Sequence, residues 1–238
     1  MICLTFDTDW MIDETLAMFL ERVHWPGVAT FFLHADLSCI HSTPHELCPH
    51  PFIEDLRSWE KGMQSLASSI PVRARGVRPH SCVFSHMIGI RLHELGYRYV
   101  SQAQHLFQAG LQPFRHPWGI WEMPIYYMDN MDFWMPKNWP NLAHRPFSGE
   151  VIDRAINEPG LYVFDFHPLH IALNTRCHAD YTSVKQRIVE ERASPFDLRF
   201  PGRGVGVFFD ELCEALERSG VRSHSCIAAL ETFDETER

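Results

Sequence analysis

Residues 2–9 read Ile2-Cys3-Leu4-Thr5-Phe6-Asp7-Thr8-Asp9, a short apolar run that ends on two aspartates. A run of this length bounded by a loop predicts a buried strand with its polar residues gathered where it finishes. Beyond it, Asp13 can cap a helix through about Val23, because Leu16, Phe19, Leu20 and Val23 fall at i, i+3, i+4 and i+7 and form one apolar face. Pro26-Gly27 then breaks the chain, and Val28-Ala29-Thr30-Phe31-Phe32-Leu33 predicts a second buried strand. The alternation continues with a strand at Glu46-Leu47-Cys48 reaching His50, and a helix marked by Ile53, Leu56, Trp59, Met63 and Leu66. A strand at Ala74-Arg75-Gly76-Val77 ends at Arg78-Pro79-His80-Ser81; a helix over 84–95 stops at Gly96, and Tyr97 to Val100 is the next strand.

The second half is less regular. Residues 102–146 are aromatic and punctuated by proline, with a strand expected over 119–124. Leu161-Tyr162-Val163-Phe164-Asp165-Phe166 is the clearest late strand and ends at His167-Pro168-Leu169-His170. The segment 171–204 reads as irregular apart from a helix near 183–192, and a final helix runs from about Val207 to Arg218. Strands alternating with helices predict a parallel α/β sheet or barrel. Its polar clusters, Asp7/Asp9, His50, Arg78/His80 and His167/His170, all follow strands. In a parallel barrel the strand ends open onto one face, so these four clusters are expected to converge.

Composition narrows the class. The 238 residues suit a single α/β domain spanning 1–238, with a motif-bearing core over about 1–174 and C-terminal helices within 183–219. Hydrophobic residues at 45% exclude a disordered chain, and a net charge of -9 argues against nucleic acid held through phosphate contacts. No run approaches a transmembrane helix, and the opening strand leaves no room for a signal peptide, which predicts a cytoplasmic protein. Seven cysteines without a C-x-x-C pair fit buried free thiols better than a disulfide framework. Fifteen histidines against three lysines, Lys61, Lys137 and Lys185, direct attention to a metal or acid/base site.

Two aspartates spaced i, i+2 at a strand end repel when both are ionised, and a divalent cation beside one of them removes that cost. Imidazole from His50 suits a borderline transition metal, zinc, cobalt, nickel or iron. The other aspartate is then free to act as a base toward water, with Arg78 pairing it and His167 opposite as a proton donor. Trp10, next to the aspartates, is a candidate pocket wall. His170 is a second proton donor or orients His167. Trp121, in the aromatic segment, is a candidate for stacking on an apolar face of a bound substrate.

These motifs, in order, resemble the NodB-type polysaccharide deacetylases of carbohydrate esterase family 4. Leu4-Thr5-Phe6-Asp7-Thr8-Asp9 is similar to their first motif, Glu46-Leu47-Cys48-Pro49-His50 to their first histidine segment, Val77-Arg78-Pro79-His80 to their arginine motif, and Phe164 to His170 to their last, histidine-containing one. The WbmS-like branch is nearest, through Arg78-Pro79-His80-Ser81, Pro113-Phe114-Arg115 to Ile125, and Phe166 to His170. The resemblance implies a distorted (β/α)7-type barrel and one divalent metal. It further implies Asp7 as catalytic base, Asp9 and His50 as metal ligands, Arg78 holding the base, and His167 as general acid. Where the family's second metal histidine would stand, this chain has Glu54. His80 is our preferred third ligand because it leaves a strand end toward the same face, with Glu54 next. His41 and His45 mimic a histidine pair but sit in a loop broken by Pro44. The expected activity is removal of an acetyl group from an N-acetylated or carrier-linked sugar, possible in surface-polysaccharide biosynthesis. The alternatives are hydrolysis of a non-sugar amide on the same fold and a non-catalytic sugar-binding barrel.

Overall fold

The computed structural model describes residues 1–55, 58–134 and 144–236. The first half alternates strand and helix as the pattern predicts: β1 (Ile2–Asp7), α1 (Asp13–Arg22), β2 (Ala29–Leu33), β3 (Glu46–Pro49), α2 (Trp59–Ser69), β4 (Gly76–Val77), α3 (His86–Glu94) and β5 (Tyr99–Val100). The second half holds β6 (Phe114–Arg115), β7 (Trp121–Glu122), β8 (Ile125–Met128), α4 (Asp129–Trp134), α5 (Gly149–Asn157), β9 (Tyr162–Phe166), α6 (Pro168–Leu173), α7 (His178–Val189), α8 (Val205–Ser219) and α9 (Cys226–Thr236).

Five parallel strands lie in the order β3-β2-β1-β9-β8, and four more in the order β4-β5-β7-β6, where only β6 runs antiparallel to its neighbour β7. Backbone bonds join the two sheets on both sides. Arg78 N donates to the Pro49 carbonyl and His80 N to that of Pro51, while Ile125 N donates to Ala103 and His105 N to Ile125. The result is a distorted (β/α) barrel. The strand expected over 119–124 is divided in two at Pro124, which has no N–H to offer a ladder. The part before it, β7, pairs with β5; the part after it, β8, crosses to pair with β9.

Strand periodicity sorts the buried residues by face. Ile2, Leu4 and Phe6 of β1 point outward into the main core, against Phe19, Phe31, Phe164, Phe166, Phe208 and Phe209. Cys3, Thr5 and Asp7 point into the barrel. At its lower end Cys3, Phe32, Cys48, Tyr99, Met123 and Val163 pack with Cys226, Ala229 and Leu230 of α9, which closes that end. The N-terminus of α9 is tied there by Cys226 N donating to Thr30 Oγ1 and Ile227 N donating to a Glu46 carboxylate oxygen. Polar side chains occupy the middle and the mouth.

Several local expectations need correction. The helix expected from Ile53 begins at Trp59, and Leu56 lies outside the described residues. Segment 171–204 is more ordered than its composition indicates: α6 follows His167 directly, with Pro168 at its first position where a missing N–H costs nothing. The expected helix near 183–192 starts earlier, at His178. Helix α5 carried a readable signal in Ser148, whose hydroxyl accepts from Glu150 N, and in the buried stripe Val151, Ile152 and Ala155. No helix among the described residues is long and apolar enough to cross a membrane.

Candidate functional site

Every polar cluster read from the sequence lies at the mouth where the parallel strands finish. Asp7 ends β1 and Asp9 follows it; His50 follows β3, Arg78 and His80 follow β4, and His167 follows β9. Asp9 is the centre of the arrangement. Its Oδ2 lies 3.4 Å from His50 Nε2 and 3.5 Å from His167 Nε2, and its Oδ1 lies 3.2 Å from His80 Nδ1. Burial opposes the Asp9 carboxylate, yet the His167, His50 and His80 rings facing it outweigh that cost and hold the group well below the usual carboxylate range. His50 shows the converse. Burial alone would lower its value, but the Asp7 and Asp9 carboxylates raise it, so the site has a strong affinity for positive charge.

The donor atoms fit a metal ion. One atom each from Asp9, His50 and His80 lies within 4.8 Å of the others. Asp9 Oδ1, His50 Nε2 and His80 Nδ1 are all buried without a hydrogen-bond partner among the described residues, a costly condition that a cation relieves. The orientation is built in. His50 Nδ1 sits 2.7 Å from the Arg78 carbonyl, which can only accept, so Nδ1 carries the proton and Nε2 presents a lone pair. The His80 ring is backed by Phe52 at 4.2 Å, and the chain beyond it turns through Ser81 and Cys82, both at φ 53°. Non-glycine residues in the left-handed region are uncommon, and two in succession mark a turn held by its surroundings.

Below this group lies a buried polar layer organised by Arg78, which is fully enclosed. Its Nη1 donates to Asp7 Oδ1 at 2.8 Å, to Asp165 Oδ1 at 2.7 Å and to Thr5 Oγ1 at 2.9 Å. Its Nε and Nη2 donate to the Ser101 carbonyl and hydroxyl. Burial pushes the Asp165 carboxyl up to about 8, with Arg78 offsetting only part of the effect. Burial thus favours the protonated form of Asp165, although the same guanidinium nitrogen reaches both it and Asp7.

On the opposite wall His167 is clamped by Asp129. Its Nδ1 donates to Asp129 Oδ1 at 2.8 Å and its backbone N to Asp129 Oδ2 at 2.8 Å. Burial works against the imidazolium, but the Asp129 charge and hydrogen bond raise His167 well above its ordinary value. Asp129 and Asp165 were missed in the sequence. Asp129 had a usable signal, an acid immediately after the apolar run Ile125-Tyr126-Tyr127-Met128, the same signature as Asp7. Asp165 had another, a carboxylate at an inward position of an otherwise apolar strand.

The mouth opens into a cavity of about 340 Å³ lined by Asp9, Trp10, His80, Trp134, His167 and His170, among others. Trp10 stands at its rim with a backbone φ of 62° and 48% of its surface exposed. His170 is buried, its Nδ1 3.0 Å from Thr175 Oγ1. Burial lowers its value to about 4 from the ordinary 6.5. A histidine whose folded value is depressed contributes its full stability above the unfolded value and loses it as the pH falls toward the folded one. Acidification from pH 6.5 to 4 is expected to cost up to about 3 kcal/mol through this residue. Melting temperature against pH in wild type and His170→Gln checks this: the variant loses part of the acid slope, and an identical slope refutes the assignment.

Other expected site residues lie elsewhere. Trp121 sits low on the barrel, its ring 6.0 Å from Phe233 of α9, the helix that closes the end opposite the mouth. Glu54 is exposed in a loop and is not on a helix, so it is not among the converging donors. His41 pairs with Asp36, and His45 Nδ1 accepts from Ala29 N.

Comparison with known proteins follows the same lines. Residues 4–185 match the family model for WbmS-like polysaccharide deacetylases. A Bordetella bronchiseptica protein, described as a polysaccharide deacetylase involved in O-antigen biosynthesis, superposes with a TM-score of 0.69 at 24% identity, over 90% of this chain and 89% of that one. The Bc1960 peptidoglycan N-acetylglucosamine deacetylase superposes with a TM-score of 0.50 at 13% identity, over 96% and 86% respectively. Both share the fold. No curated protein sequence matches.

Proposed function

The chain belongs to the WbmS-like polysaccharide deacetylase family, and from that premise we propose that it hydrolyses the N-acetyl group of a soluble or carrier-linked sugar in the cytoplasm, using one divalent transition metal, preferably zinc. The observation that carries this reading is the convergence of three unpartnered donor atoms, Asp9 Oδ1, His50 Nε2 and His80 Nδ1, beside an Arg78-held carboxylate and an Asp129-held imidazole. The Bordetella relative's described part in O-antigen biosynthesis supports a substrate on the way to a surface polysaccharide.

Asp9, His50 and His80 would hold the cation. When bound, it supplies Lewis acidity that polarises the amide carbonyl and makes water a better acid. Asp7, held in place by its hydrogen bond from Arg78, takes the proton from the attacking water. His167, kept protonated by Asp129, faces the cavity through Nε2 and gives its proton to the departing sugar amine. Trp10 and Trp134 form the apolar walls on which a sugar ring stacks.

Two measurements test the reading. Purified protein is expected to contain about one equivalent of zinc, cobalt, nickel or iron, and to release acetate from at least one member of a panel of N-acetyl sugars. Chelation abolishes the release and metal restores it. A metal-free protein that binds N-acetyl sugars without releasing acetate would instead be the binding-barrel alternative. Acetate from simple amides alone would favour the non-sugar alternative.

The Asp129 clamp has its own signature. A general acid works while protonated, so activity falls as pH rises through the His167 value. Asp129→Asn removes the charge that raises this value, and the alkaline limb of the kcat profile is expected to move to lower pH. An unmoved limb would show that His167 is not the group being read.

A further inference from the structure

The cavity above Asp9 has one occupant that acetamide hydrolysis does not require. Lys185, on α7, places its Nζ 4.8 Å from the centre of the Trp10 ring and 5.7 Å from that of Tyr181, and lines the same cavity as Asp9, His80 and His167. It has no hydrogen bond or ion pair among the described residues. Its helical neighbours at three and four positions, Tyr181, Thr182, Ile188 and Val189, carry no acid to pair it, although α7 and its flanks form such pairs elsewhere, between Arg176 and Asp180 and between Arg187 and Glu191. An ammonium held over two aromatic faces and left without a counterion is an open site for an anion.

The rest of the cavity agrees in sign. Among the described residues Asp9 is the only acid along its wall; the other titratable groups there are His80, His167, His170, His178, Tyr181 and Lys185. His178 stacks flat on Trp134 at 4.5 Å, so a second aromatic wall also carries a basic group. With Asp9 engaged by a divalent cation and Asp7, just below it, paired with Arg78, no unmatched carboxylate among the described residues faces this cavity. A chain of net charge -9 thus presents a locally positive mouth, which attracts anions that its surface otherwise repels.

Resting on the deacetylase reading, we propose that Lys185 recognises a negatively charged group, carboxylate or phosphate, on the sugar bound in this cavity, so that the substrate is an anionic N-acetyl sugar. The ring stacks on Trp10 while its acidic substituent meets the ammonium beside that indole. Lys185 thereby sets which sugar is accepted and takes no part in breaking the amide bond.

The test is a binding titration followed by tryptophan fluorescence, in zinc-loaded protein carrying Asp7→Asn so that nothing turns over. The probes are N-acetylglucosamine, N-acetylglucosaminuronic acid and N-acetylglucosamine 6-phosphate, with their galacto counterparts. At least one charged probe is expected to bind about tenfold or more tightly than its neutral partner. That ratio falls to about one in Lys185→Met and survives in Lys185→Arg. Whichever acid shows the larger Lys185-dependent ratio identifies the source of the charge. Equal affinities, no binding by any charged probe, or a preference that persists in Lys185→Met overturns the proposal. Acetate release by the wild-type protein is scored separately. A Lys185-dependent preference without acetate release from any sugar refutes the deacetylase reading alone, and acetate release without charge preference refutes the Lys185 assignment alone.

Discussion

Asp7→Asn is expected to retain about one equivalent of metal while kcat for acetate release falls by about 10²- to 10⁴-fold. Asn has nearly the shape of Asp and keeps an oxygen for the Arg78 hydrogen bond, now 2.8 Å long. It cannot accept a proton at neutral pH. Asp7 Oδ2 lies 3.7 Å from His50 Nε2, at the edge of the donor group rather than among its three converging atoms. His50→Ala is the opposite case. It removes an orphaned donor and leaves Asp9 with fewer partners, so metal content and turnover are lost together. Metal analysis beside kcat for both variants separates a base from a ligand. Wild-type turnover in Asp7→Asn would reject the base, and loss of metal in that variant would make Asp7 a ligand.

Arg78→Met is expected to cost about 3–5 kcal/mol of stability, equivalent to a fall in Tm of roughly 10 °C or more for a chain of this size. The reason is what remains. Asp7, Thr5 and Ser101 lose a common donor in a fully buried layer, and Asp7 is left charged beside an apolar side chain. Arg78→Lys recovers little, because one ammonium cannot reach both carboxylates and both Ser101 oxygens in the directions the guanidinium spans. Asp165→Asn is the discriminating partner. Burial favours the protonated form of this acid, which an amide mimics, so this change is expected to cost less than about 1 kcal/mol. Thermal unfolding of the three variants measures the contrast. Equal losses for Asp165→Asn and Arg78→Met would mean that Asp165 is ionised and that Arg78 is shared evenly.

How much of this could be read in advance follows from the range of each interaction. Strand β1, its terminal aspartates, the α1 stripe and the order of the polar clusters are local patterns, set by side-chain period and by turn chemistry within a few residues. They were legible, and with them the barrel class and the gathering of Asp7, Asp9, His50, Arg78, His80 and His167. Helix α9 was not legible, because its use lies in closing the barrel floor against Cys3 and Val163, more than sixty residues away in sequence at the nearer of the two. Trp121 and Trp10 are equally aromatic on paper. Only the packing of one against Phe233 and the placing of the other at the mouth distinguishes floor from rim.

The linear pattern by itself determined which residue types finish each strand, since a period of two and a loop after it need no distant partner. Tertiary structure alone decided what those residues meet. Asp129 became the clamp of His167, Asp165 became a buried neighbour of Arg78 with its carboxyl pushed up, and Glu54 was left out of the donor group, because burial and distance between remote segments decide which charges are paired and which donor atoms remain free for an ion.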